Sequence, residues 1–146
     1  MSSKIGLNLT RYYSINFDLL KRSKRSIKFI IIHYTGMKKE SDAIKRLCDP
    51  KSKVSAHYFI KNNGEVMNLV PNLYTAWHAG VSFWKNYSSL NKYSIGIEIN
   101  NPGHSHKYKA FSYVQIHSLI KLIRYLCKKF NIKKKNVLGH SDISPI

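Results

Sequence analysis

The sequence lacks any apolar run approaching the ~20 residues that a membrane-spanning helix needs, so it predicts no bilayer span and a soluble protein. It has only two cysteines, Cys48 and Cys127, far apart in apolar patterns and with no C-x-x-C or Cys/His cluster beside them. That pattern argues for two buried thiols rather than a disulfide or a Cys-based metal module. No internal repeat, Gly/Ser linker or phosphate-cradling glycine loop is visible. Acidic residues are scarce, 7 against 25 Lys and Arg, which leaves a formal charge of +18. Such an excess attracts polyanions over a long range: nucleic acid, anionic lipid or acidic cell-wall polymer. The basic residues fall in short separate groups such as 21–25, 128–129 and 133–135, with no single stripe. No helix-turn-helix, zinc-finger or RNA-recognition motif accompanies them, so no specific nucleic-acid partner is expected, and a generally basic solvated surface remains the alternative to a functional field. Residues 1–26 lack the apolar core of a secretory signal, which predicts a cytoplasmic location and leaves an extracytoplasmic one open.

A chain of 146 residues is the size of one domain that buries a core without staples. Residues 1–26 read as an irregular lead-in lying over the domain, with Tyr12, Tyr13 and Phe17 to pin it; residues 27–146 read as the domain itself. In Ile27-Lys-Phe-Ile-Ile-Ile-His33-Tyr-Thr-Gly36, five of the first six residues are apolar and most are β-branched. This is the pattern of a strand buried on both faces, ending on a histidine and a turn. Apolar positions 43, 44, 47 and 48 predict a short helix closed by Asp49-Pro50. Residues 54–61 and 66–70 flank Asn62-Asn63-Gly64-Glu65 as a hairpin. Residues 81–92 have no period and read as a loop. Tyr93–Asn100 alternates so that Ile95, Ile97 and Ile99 face the core and Glu98 faces away. Apolar positions 116, 119, 120, 123, 127 and 130 predict the major amphipathic helix, and Val137-Leu138 a short edge strand ending at His140. His104 and His106 read as exposed loop residues. Strand, helix, hairpin, strand, helix, strand argues for a single α/β domain with a mixed central β-sheet flanked by helices.

Two apolar strand ends, each finishing on a histidine, carry the chemistry. His33 and His140 could share one zinc through neutral imidazole nitrogens, and a carboxylate nearby could take a proton from water there. Glu98 is the candidate base; a surface salt bridge to one of the many lysines is its alternative. His33 alone could equally be a strand cap satisfied by a backbone carbonyl. A serine or cysteine nucleophile is disfavoured, because no G-x-S-x-G occurs and neither cysteine has a base beside it.

Ile31-Ile-His33-Tyr34-Thr, Val54-Ser-Ala-His57-Tyr58, Ala76-Trp77-His78-Ala79-Gly80, Ser94-Ile-Gly-Ile-Glu98-Ile and Gly139-His140-Ser-Asp142-Ile-Ser-Pro145 occur in this order. Together they resemble the zinc-dependent N-acetylmuramoyl-L-alanine amidases, the amidase-2 family, related to phage lysozyme amidases and peptidoglycan recognition proteins. The resemblance runs from about Phe29 to the end of the chain. It implies an α/β fold with a mixed sheet, and hydrolysis of the amide between N-acetylmuramic acid and L-alanine in peptidoglycan or its fragments. It further implies zinc as cofactor, peptidoglycan or muropeptide as partner, and a monomer. By motif, His33 and His140 are the metal ligands and Glu98 the catalytic acid/base. His57, Tyr58, Trp77 and His78 are candidate substrate contacts, with cleft-wall packing or hydrogen bonding as the other reading of His57 and His78; Asp142 shapes the turn after His140. In the family a basic residue and an Asp-Pro-Gly turn follow, the aspartate being the third ligand, and this chain ends at Ile146 before both. The expectation is therefore an amidase or, alternatively, a catalytically impaired muropeptide-binding module.

Overall fold

A computed structural model describes residues 6–7, 9–107 and 109–144; Pro145 of the fifth motif and the first five residues of the lead-in lie outside that range. In chain order the strands and α-helices are β1 (Leu9–Arg11), β2 (Phe29–Tyr34), α1 (Glu40–Cys48), β3 (Tyr58–Ile60), β4 (Val66–Asn68), β5 (Phe83–Trp84), β6 (Tyr87–Ser88), β7 (Ser94–Ile99), α2 (Tyr113–Phe130), β8 (Val137–Gly139) and α3 (His140–Ile143). Six strands form one sheet in the order β1-β4-β3-β7-β2-β8. Its neighbours run parallel except β3 with β4, which are the antiparallel arms of the hairpin. The mixed sheet read from the element order is the one that forms.

Strand alternation sorts the residues into two layers. Ile30 of β2 and Ile95, Ile97 and Ile99 of β7 point to one side, where Leu122, Leu126 and Phe130 of α2 cover them. Phe29 and Ile31 point to the other, under Leu138 and Ile143, while Phe59 and Met67 meet Ala43 and Leu47 of α1. Covered on both faces and paired on both edges, β2 needs the near-continuous apolar run that its sequence has. His33 shares the side of Phe29 and Ile31. Glu98, opposite in parity to the three isoleucines of β7, shares it too.

Helix α2 begins with a capping box: Ser112 Oγ accepts the Gln115 amide at 3.3 Å, and the Ser112 amide donates to Gln115 Oε1 at 3.1 Å. Its buried stripe is Gln115, Ser118, Leu122, Leu126 and Phe130, so the helix is turned relative to the stripe read from its apolar residues, and Ile116 and Ile120 are exposed. Two polar anchors turn it. Gln115 Nε2 donates to the Asn100 carbonyl at 2.8 Å, and Ser118 Oγ to the Gly64 carbonyl at 2.5 Å.

The lead-in differs from its irregular reading. Leu9–Arg11 pairs with β4 as an edge strand, and Arg22 is built into the domain, donating to the Asn72 and Asn91 carbonyls at 2.9 Å each. Tyr12 and Tyr13 are exposed, whereas Phe17 packs edge-on against Tyr74. Residues 81–92 are not all loop, since β5 and β6 form a two-stranded ribbon there. Both thiols are free and half-buried, His104 and His106 are exposed, and no helix among the described residues is long and apolar enough to cross a membrane.

Candidate active site

Neighbouring parallel strands bring their carboxyl ends to the same edge of the sheet. His33 stands opposite Glu98 in the β2–β7 register, and Gly139 stands opposite Ile32, so His140 leaves β8 beside His33. The two imidazole centroids are 4.9 Å apart. Both rings and Glu98 line a cleft of about 720 Å³, with Arg46 of α1, Trp77 and His78 in its walls. Crevices outside the carboxyl ends of parallel strands are the usual binding places of such sheets.

Electrostatics differ sharply across this cleft. His33 is 8% exposed; burial, helped by the neighbouring His140, lowers its pKa to about 3 and leaves the imidazole neutral with a lone pair to offer. Burial raises Glu98 to about 7, with Arg46 pulling in the opposite direction. A carboxyl poised near neutral pH can both take and return a proton. Glu98 forms no salt bridge among the described residues, so a lysine partner is not what holds it.

The donor chemistry matches the nitrogen ligands of a zinc site, with two imidazoles side by side at an open cleft. A third donor is absent from the described residues, where no group of three or more His, Cys, Asp or Glu could hold a metal. Asp142 does not supply one: its Oδ2 accepts the Gly139 amide at 2.8 Å, which shapes the turn.

Two of the four candidate substrate contacts lie away from the cleft. Tyr58 has the parity of the α2 layer, is 4% exposed within that core, and donates its hydroxyl to Asn72 Oδ1 at 2.8 Å. His57 is wholly buried, its Nδ1 accepting the Gly96 amide at 3.0 Å and its Nε2–H donating to the Tyr74 carbonyl at 2.8 Å. With every polar atom engaged, Tyr58 is a core residue of the α2 layer and His57 packs and hydrogen-bonds behind the cleft. Trp77 and His78 do line the cleft. Trp77 Nε1 donates to Asp18 Oδ1 at 2.8 Å, and Asn91 Oδ1 holds the turn by accepting the His78 and Ala79 amides.

Sequence reasoning missed Arg46 and Ser94. Arg46 sits one turn beyond Ala43 on α1, a spacing that could have placed it beside the sheet-facing stripe. Ser94 shares the parity of Glu98 on β7, and that alternation was its available signal.

The family model for N-acetylmuramoyl-L-alanine amidase matches residues 23–145. The chain belongs to this family. The chain is 39% identical over 131 residues to N-acetylmuramoyl-L-alanine amidase AmiD of Escherichia coli, covering 82% of this chain and 46% of AmiD, less than half of that relative's length. It is 31% identical over 150 residues to 1,6-anhydro-N-acetylmuramyl-L-alanine amidase AmpD of Haemophilus influenzae, covering 90% of this chain and 79% of AmpD. The solved complex of E. coli AmiD with anhydro-N-acetylmuramic acid-L-Ala-D-gamma-Glu-L-Lys superimposes with a TM-score of 0.75 at 34% identity, over 88% of this chain and 53% of that one.

Proposed function

We propose that this amidase hydrolyses the amide between N-acetylmuramic acid and L-alanine in peptidoglycan fragments, with Glu98 as general acid/base and His33 and His140 as metal ligands. The observation that carries this reading is the convergence of those three side chains from adjacent strand ends on one cleft, with Glu98 raised to about 7. The muropeptide bound in the AmiD complex supports the substrate class. Bound zinc would supply a Lewis acid that lowers the pKa of water. Glu98 takes the proton of the attacking water at its carboxylate oxygen as the lactyl carbonyl carbon gains the new C–O bond. As the C–N bond breaks, the same carboxyl returns a proton to the departing alanine nitrogen, so acid and base work balance on one group.

Glu98→Gln keeps the shape and removes the proton exchange. Peptide release from a muropeptide should fall by about 10²- to 10⁴-fold while zinc retention stays at the parent level. Parent-rate release by the zinc-loaded variant would refute the role.

The presence of two ligand imidazoles without a third donor among the described residues favours a second reading, a module that binds muropeptide without cutting it. About one zinc per chain together with peptide release removes that reading, and binding without release supports it.

A further inference from the structure

Ser94, Gly96 and Glu98 alternate along one face of β7, and His78 is seated over the first two. The seat requires glycine: a Cβ at Gly96 would stand 2.4 Å from Cγ of the His78 ring. From there the ring reaches in two directions. Its Nε2 is 3.1 Å from Ser94 Oγ, and its Nδ1 is 3.0 Å from His33 Nε2.

Proton counting assigns the direction of these bonds. Ser94 has one hydroxyl proton, and it goes to the Leu90 carbonyl at 2.6 Å. The contact to His78 is then a hydrogen bond only if His78 Nε2–H donates. Above the ordinary imidazole pKa of about 6.5 both rings are neutral, and with Nε2–H of His78 donating to Ser94 its Nδ1 bears a lone pair. His33 Nε2 must therefore carry the proton that bridges the two rings. One lone pair remains on His33, at Nδ1, and no hydrogen bond to it occurs among the described residues.

We propose that Ser94 and His78 are positioning residues that lock His33 in its Nε2–H tautomer and leave Nδ1 as its ligating atom. The ligating part rests on the metal-site reading under Proposed function; the tautomer does not. A hydrogen-bonded neighbour that fixes which ring nitrogen is free also fixes the ring's orientation and raises its basicity toward a metal. The spacing gives each residue a purpose: serine to absorb the His78 proton, glycine to admit the ring, and histidine to relay the choice to β2.

The test uses the metal-free 146-residue chain with ¹⁵N-labelled histidine, where long-range ¹H–¹⁵N correlations at about pH 8 read each neutral tautomer. His33 and His78 should both be protonated at Nε2 and bare at Nδ1. Protonation of His33 at Nδ1 in the unmutated protein would overturn the assignment without any variant having to fold. In Ser94→Ala both rings should become tautomer mixtures, and affinity for Zn(II) alone, measured against a chromophoric chelator, should fall by about 10- to 100-fold. Ser94→Thr, which keeps the hydroxyl, should restore both. An unchanged His33 spectrum with affinity within about twofold in a folded Ser94→Ala protein would also overturn it. Because the tautomer is read without metal or substrate, failure of the peptide-release assay leaves it untouched.

Discussion

At the scale of single residues, burial assigns opposite behaviour to Glu98 and to the imidazoles of His33 and His57. Desolvation disfavours charge, so Glu98 holds its proton up to about pH 7 in the folded protein while the same group in the unfolded chain releases it near 4.5. Between those values the folded state binds more protons, and folding stability falls as pH rises through the window. His57 behaves in reverse. Folded, it stays uncharged down to about pH 3, whereas unfolded it titrates near 6.5, so stability falls as pH is lowered from 6.5 toward 3. His57→Gln should flatten that acid limb by up to about one proton's slope in denaturant titrations of metal-free protein, even though its overall stability drops. Arg46 supplies the charge that opposes the burial of Glu98. In Arg46→Ala the carboxyl loses that support and its pKa rises, so the acidic limb of the kcat/KM profile should move to higher pH; a limb that stays in place would remove Glu98 as the titrating base.

At the scale of elements, α2 is held by its polar end as much as by its leucines. Ser112→Ala breaks one half of the capping box and should cost about 1 kcal/mol. Leu126→Ala empties a fully buried position against the sheet and should cost about 2–5 kcal/mol. Thermal or denaturant unfolding of the two variants checks the order; a cap variant costing more than the core variant would contradict the packing described. The hairpin turn shows the same dependence on one residue. Gly64 has φ +85°, and a Cβ there would lie 2.9 Å from the Val114 carbonyl oxygen, so the turn docks on the start of α2 only with glycine.

At the scale of the whole molecule, the charge of +18 stands apart from the cleft chemistry. Dispersed charge attracts polyanions through counterion release and carries no sequence preference, so retention on DNA at low salt should vanish by physiological salt. A sequence-selective complex that survives physiological salt would show that the basic surface has a dedicated nucleic-acid role.

The sequence by itself determined the strands β2, β3, β4, β7 and β8, the hairpin, the layer that each isoleucine of β7 would occupy, and the meeting of His33, Glu98 and His140. These follow from period-two alternation and from motif order, which are local properties of the chain. The rotation of α2 was decided elsewhere. Gln115 and Ser118 found carbonyl partners on Asn100 and Gly64, and a polar anchor outweighs the apolar count when its acceptor is buried. Only the tertiary structure could place Tyr58 in the far core, seal His57 with Tyr74 and Gly96, and bring Arg22 and Leu9–Arg11 into the domain. Each of those outcomes depends on hydrogen-bond partners 14 or more residues away, and a pattern read along the chain contains no record of them.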